Sequence, residues 1–430
     1  MQTIKESSVA NIWQYTARPG VALSTVDRQP VHILYPGRTS DEPGADIRDA
    51  VLRVNGRVLK GNIEIHVRSS DWRKHGHHLD KAYNGIVLHV VMFHDTGYTT
   101  CLENGELVPV ISLCDSAPKI DFKHWYSSPL TCSVGMRGKT QRKIDDVLDR
   151  AGRERFIEKQ KSFLRELEYI DAGQCLYRGL MGALGYSKNT APFQMVAEIV
   201  PLSELERMAG ETSESCLISA IEERLLKVAG FAGGIENPNR SINNVVIPNK
   251  LAWRLFRVRP GNQPARRLAG MARLIVRYRH SGLLSGLISL ANGAIGENRW
   301  DEIESGLIVP ADGYWVDHYC PGKQCHLTDG FLIGRTRAKE IIINVLLPFI
   351  SASGKYDNRP DNVENALELY NVYPATEGNN IERHMSNQLG IKRSQIKTAQ
   401  RQQGLLHLYK RFCTQGGCGE CPVQDLNTNR

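Results

Sequence analysis

A chain of 430 residues is long enough for two or three domains, and its 41% apolar and 23% charged residues exclude a disordered or fibrous protein. The formal net charge of +8 is modest but unevenly spread. From 237 to 296 there is no Asp or Glu, while Arg240, Lys250, Arg254, Arg257, Arg259, Arg266, Arg267, Arg273, Arg277 and Arg279 all fall there. Such a run is either a solvated face paired with acids elsewhere or a surface that neutralises phosphates.

The first residues, MQTIKESSVANIW, hold no apolar stretch of the secretory type, and the apolar runs at 283–291 and 341–350 are too short or too broken to span a bilayer. A cytoplasmic protein without membrane partners is expected. Its ten cysteines are then buried thiols or metal ligands rather than a disulfide framework.

Residues 20–110 carry β-type signals. VHILYPG at 31–37 ends in a Pro-Gly turn, 50–67 alternates apolar and polar residues about an Asn-Gly hairpin signal, and GIVLHVVMFHD at 85–95 suits a central strand. About four strands in a mixed sheet are expected, because the 85–95 run is apolar on both faces whereas 50–67 reads as half-buried. From about 139 the apolar spacing changes to three and four, and breaks at 186–193, 233–248 and 259–265 divide the remainder into short helices. An irregular connection over 309–334 precedes a helix at 335–353. The expected class is α+β: a mixed-sheet domain over 10–135, a helical accessory domain with the basic segment over 139–308, and a helical C-terminal region over 309–430.

The densest chemistry lies in GNIEIHVRSSDWRKHGHHLD at 61–80. On a strand Glu64, His66 and Arg68 share one face, while Ile63, Ile65 and Val67 face the core. Asp46, in EPGAD, is carried back beside Glu64 by the hairpin. Two carboxylates beside a third polar group can hold a divalent cation and activate water for phosphodiester hydrolysis. Asp46, Glu64 and His66 are the candidate catalytic residues, and His77 and His89 join them as candidate metal ligands. The expected ion is Mg2+ or Mn2+, and imidazole also admits Fe2+ or Zn2+. His75, His78, His94, Asp71, Asp80 and Asp95 crowd the same region. Asp71 as a helix cap and His89 as a core histidine are the structural alternatives. Arg254, Arg257, Arg259, Arg266 and Arg267 are the candidate contacts to a nucleic-acid backbone.

PGAD followed by GNIEIH resembles the PD-(D/E)XK nuclease motif, with His66 where that superfamily usually has Lys. HGHHLD also resembles the H-x-H-x-x-D pattern of binuclear metal hydrolases, which would make the protein a hydrolase of small phosphoesters. A third possibility is a nucleic-acid-binding module without catalysis.

Near the end, Cys413, Cys418 and Cys421 are spaced C-x4-C-x2-C in a Gly-rich stretch, suited to Zn2+ or an iron-sulfur cluster. Cys320, Cys325 and His407 are the candidate fourth ligands. The order of Trp13, YPG at 35–37, PGAD, the GNIEIH to LHVV block, RVRPGNQPARRLAGMARLI, INVLLPFI, QGLLHLYKRFC and the final C-x2-CP resembles the DUF2851 family of bacterial proteins of unknown function, from about 10 to 423. With the nuclease-like block, this leads to the expectation of a metal-dependent nuclease acting on DNA or RNA.

Overall fold

Asn55 and Gly56 both adopt positive φ, 47° and 81°, so the Asn-Gly pair closes a type I′ turn between β4 (Ile47–Val54) and β5 (Arg57–Arg68). This hairpin is the centre of a seven-stranded sheet ordered β1-β2-β4-β5-β6-β7, with β1 at Leu23–Ser24, β2 at Pro30–Tyr35, β6 at Ile86–Phe93 and β7 at Val110–Ser112; β3 (Arg38–Thr39) pairs with β4. Strands β1 to β5 pair antiparallel, whereas β5 with β6 and β6 with β7 are parallel. The sheet is therefore mixed, with more strands than the apolar runs announced. Strands of two or three residues are too short to show a period.

The structure is a computed structural model and describes residues 4–17, 21, 23–40, 44–116, 132, 140–213, 216–231, 251–256, 258–294, 299–325 and 330–425. Two compact units divide it: 1–152 with 378–396 and 401–430, and 153–377 with 397–400. The last helices thus group with the sheet, a different division from three consecutive segments.

In the first unit, helix α1 (Glu6–Thr16) buries Val9, Ile12 and Trp13 against Ile63, Ile65, Leu88 and Val90 on one face of the sheet. The opposite face of β5 carries Glu64 and His66, both buried, so this strand is covered on both sides. In the second unit, helices including Ala172–Leu184, Pro264–Arg277 and Leu347–Tyr356 pack one core around Leu176, Tyr177, Leu268, Met271, Leu346 and Phe349. The expected break at 186–193 is a kink at Asn189 within the helix Tyr186–Ile199. That at 233–248 lies outside the described residues. The class is α+β, a mixed sheet followed by a mostly helical region. Among the described residues, no helix is long and apolar enough to cross a membrane.

The basic segment is corrected at two positions. Arg266 and Arg267 are 0% and 2% exposed. Arg266 donates to the carbonyls of Trp315, His318 and Phe331, and Arg267 to the carbonyl of Leu332, to Asn262 Oδ1 and to the Tyr186 hydroxyl. The expected irregular connection instead carries the short strands Val309–Pro310, His318–Cys320, Lys323–Gln324 and Phe331–Ile333 and a 3-10 turn at Gly313–Val316, and both guanidiniums satisfy carbonyls of these elements. They are not available to a phosphate. Arg273 pairs with Glu222 and Asp312, and Arg277 donates to three carbonyls from Ser305 to Ile308. Arg254 and Arg259 are exposed, and Arg257 lies outside the described residues.

Candidate metal centre

Strand alternation places Glu64 and His66 on the face away from α1, and the parallel register sets His89 of β6 beside Glu64. After β5 the chain turns at once. Asp95 accepts from the hydroxyls of Ser69 and Ser70 and from the Ser70 N–H, at 2.8–3.0 Å, and Asp71 accepts from the Arg68 N–H at 3.1 Å. These two aspartates fix the turn into the short helix α2 (Asp71–Lys74). Gly76, at φ 77°, then reverses the chain so that His75 and His77 both return toward β5. Trp72 is buried beneath them and donates from Nε1 to the Cys101 carbonyl at 3.0 Å. The His77 ring lies 3.9 Å from that of Tyr83 and 5.4 Å from that of Trp72, centroid to centroid.

His66, His75 and His77 come together so that one ligand nitrogen from each lies within 4.8 Å of the others. His66 and His77 are buried and His75 is exposed, which leaves one side of the triad open to solvent. His66 Nε2 is 3.1 Å from His75 Nδ1. Two imidazole nitrogens on one tetrahedral ion at about 2.0–2.1 Å stand about 3.3 Å apart, so the spacing suits a shared cation as well as it suits a hydrogen bond.

Behind the triad, His66 Nδ1 is 2.9 Å from His89 Nε2, and His89 Nδ1 is 3.0 Å from the Thr100 hydroxyl. Sequence reasoning named His89 as a ligand. The structure places it outside the triad, with both ring nitrogens within hydrogen-bond distance of His66 and Thr100, where it can orient the His66 ring. His75, on an exposed loop with no periodic pattern, entered the sequence reading only through the H-x-H-x-x-D alternative and not among the ligands of the nuclease site.

The carboxylates lie alongside. Glu64 Oε1 is 3.4 Å from His77 Nε2, close but not hydrogen-bonded, and Glu64 Oε2 and His77 Nε2 are buried without a hydrogen-bond partner. Asp46 accepts from the Ile65 N–H at 2.9 Å. Burial, with the Asp46 carboxylate adding to it, pushes the Glu64 acid up to about 9. Asp46 is raised too, first by burial and then by Glu6. Glu6, from α1, acts on both, a third carboxylate that sequence reasoning missed because it lies so far along the chain from Glu64. Burial, reinforced by the neighbouring imidazoles, lowers His66 to about 2, His77 to about 4 and His89 to about 3, so all three are neutral at pH 7. Neutral imidazole is the ligating form.

The H-x-H-x-x-D pattern is not assembled as one ligand set, since Asp80 is exposed and accepts from the Ala82 N–H to cap the following turn. His78 and His94 stand outside the triad.

The sequence matches the family described as "Protein of unknown function (DUF2851)" over residues 6–231 and 241–380. The chain belongs to the DUF2851 family. The matched residues of this DUF2851 protein contain Glu6, Asp46, Glu64 and all the histidines just described, whereas Cys413, Cys418 and Cys421 fall beyond them. No curated protein and no solved structure matches it.

Proposed function

We propose that this protein is a metal-dependent hydrolase of phosphodiesters, with nucleic acid as the substrate class. The observation that carries the reading is the union of a three-imidazole cluster, whose buried members His66 and His77 are neutral, with a buried, incompletely hydrogen-bonded carboxylate 3.4 Å from His77. A site with this much desolvated titratable chemistry is expensive to maintain without a cation, because a buried unpaired polar group costs about 1–3 kcal/mol.

His66, His75 and His77 would hold the ion. Imidazole donors suit Mn2+, Fe2+ or Zn2+ better than Mg2+, which prefers oxygen ligands. When bound, the ion would supply Lewis acidity toward a phosphoryl oxygen and lower the pKa of water. Glu64, once a bound cation has displaced its own proton, would accept the proton of the attacking water, whose oxygen bonds to phosphorus as the P–O bond to the leaving group breaks. Asp46 and Glu6 add negative potential that favours the cation. Support for the nuclease reading is taken from the element order: helix α1, antiparallel strands β2, β4 and β5, then parallel β6, with Asp46 ahead of β4 and Glu64-x-His66 in β5. An anionic substrate is favoured by Arg68, Arg73, Lys74 and Lys81, all exposed on the stretch that carries His75 and His77.

The test is calorimetric titration of Mn2+ and Zn2+ together with cleavage of single- and double-stranded DNA and RNA. His66→Ala and His77→Ala lose ion binding and cleavage. Glu64→Ala loses cleavage while retaining part of the ion affinity. Wild-type cleavage rates in Glu64→Ala, or no ion bound by the wild type, refute the assignment.

A further inference from the structure

Strand alternation sets residues three apart on opposite faces, yet Ile47 and Ala50 are both fully buried and both pack in the core beneath α1 with Ile63 and Ile65. The pairing of β4 with β5 explains it. Ala50 stands opposite Gly61 and Ile47 opposite Ile63, so Arg48 and Asp49 together face the single residue Asn62. This is a β-bulge, one extra residue in β4.

The extra residue decides where Asp46 goes. Carried one step past Ile47 and Ile63, the register sets Asp46 opposite Glu64, and residues directly opposite share a face. Counted from Ala50 and Gly61 without the bulge, Asp46 would fall opposite Ile65, whose side chain packs beneath α1. From its actual position the Asp46 carboxylate accepts the Ile65 N–H at 2.9 Å. Beside β4, Gly37 leaves room for the bulge: its φ is 84°, and its missing Cβ would stand 2.8 Å from the Arg48 carbonyl oxygen.

Asp49 has φ 62°, a left-handed conformation that glycine adopts freely and other residues enter at a cost. The side chain kept at this position is held firmly. Asp49 Oδ2 accepts from the Tyr409 hydroxyl at 2.5 Å and from Arg38 Nε at 3.2 Å, and Arg38 Nε also donates to the Tyr409 oxygen at 3.0 Å. The Asp49 N–H donates to Asn62 Oδ1 at 3.4 Å. Tyr409 is buried in the helix Ala399–Arg411, and its ring meets those of Tyr35 and His384 edge-on at 6.2 and 5.9 Å. Arg38, Asp49 and Tyr409 all belong to the first unit.

We infer that Asp49 and Tyr409 are positioning residues of the candidate site: their hydrogen bond holds the bulge in β4, and the bulge turns Asp46 to the face of Glu64. The carboxylate side of the site thereby depends on a helix 360 residues further along the chain than Asp49. Only the use of Asp46 by a cation rests on the hydrolase reading; the register does not.

Hydrogen exchange of the metal-free full chain, resolved to single amides, reads the Ile65 N–H, whose acceptor is Asp46. Tyr409→Phe, which keeps the ring, and Asp49→Ala are expected to speed exchange at Ile65 by about tenfold or more, as does Asp46→Ala, while Leu88 and Val90 keep wild-type rates. Asp49→Asn, which tolerates positive φ and keeps an acceptor oxygen, stays within about threefold of wild type. Mn2+ affinity falls about tenfold in Tyr409→Phe and in Asp46→Ala, and no further in the double variant. Wild-type protection of Ile65 in both Tyr409→Phe and Asp49→Ala, or equal acceleration at Leu88 and Val90, overturns the proposal. Faster exchange at Ile65 alone with wild-type Mn2+ affinity upholds the lock and refutes instead the part given to Asp46 in the hydrolase reading.

Discussion

Replacing Glu64 by Gln removes an ionisation and little else, because the two side chains are nearly isosteric. In the metal-free protein the Glu64 acid stands at about 9, against an ordinary 4.5. Between those values the folded state keeps a proton that the unfolded chain has lost, so this residue's contribution to stability is full below about pH 4.5 and declines as pH rises toward about 9. The histidines act oppositely. His66, His77 and His89, all lowered from 6.5, cost stability as pH falls below 6.5 and contribute no slope above it. Urea unfolding of EDTA-treated protein at about pH 7 and about pH 8.5 therefore isolates Glu64. At about 1.4 kcal/mol per pH unit, the wild type loses about 2 kcal/mol more than Glu64→Gln across that interval. Thiol contributions are common to both proteins and cancel in the difference. Mn2+ or Zn2+ removes most of the effect by displacing the proton. Parallel pH profiles for the two proteins would mean that Glu64 is already ionised without a cation, and the argument from its burial would fail.

Removing the outer partner of His66 leaves the ion's ligands in place but loosens them: His89→Ala is expected to weaken Mn2+ or Zn2+ affinity by about 10- to 100-fold, measured by calorimetry, with the fold retained by circular dichroism. Arg267→Ala, which strips donors from Leu332, Asn262 and Tyr186, is expected to destabilise the helical unit by about 3 kcal/mol in urea. Nucleic-acid affinity, read by fluorescence anisotropy on protein still folded, stays within about twofold of wild type, unlike a phosphate contact, whose loss lowers affinity and salt dependence together.

How much of this was legible depended on range along the chain. Ile63, Ile65 and Val67 against Glu64 and His66 is a period of two within one strand, and Asn55-Gly56 is a local turn preference, so the hairpin and the facing of its side chains could be read directly. The pairing of β5 with β6 is parallel and non-local, and it alone puts His89 behind His66. His75 reaches the site through the left-handed turn at Gly76, which no periodicity announces. Arg266 and Arg267 misled because a run of arginines reads as surface unless one knows that the distant carbonyls of Trp315, His318, Phe331 and Leu332 fold against them.

The triad has two kinds of support. His66 is buried in a strand paired at this position with Val91 of β6, whereas His75 is exposed on a turn. A captured ion would then have one immovable anchor and one that swings into water. Exchange would begin at His75, so the rate at which a chelator strips the ion should follow changes at His75 and Gly76, while the choice between ions of different radius is set in the strand.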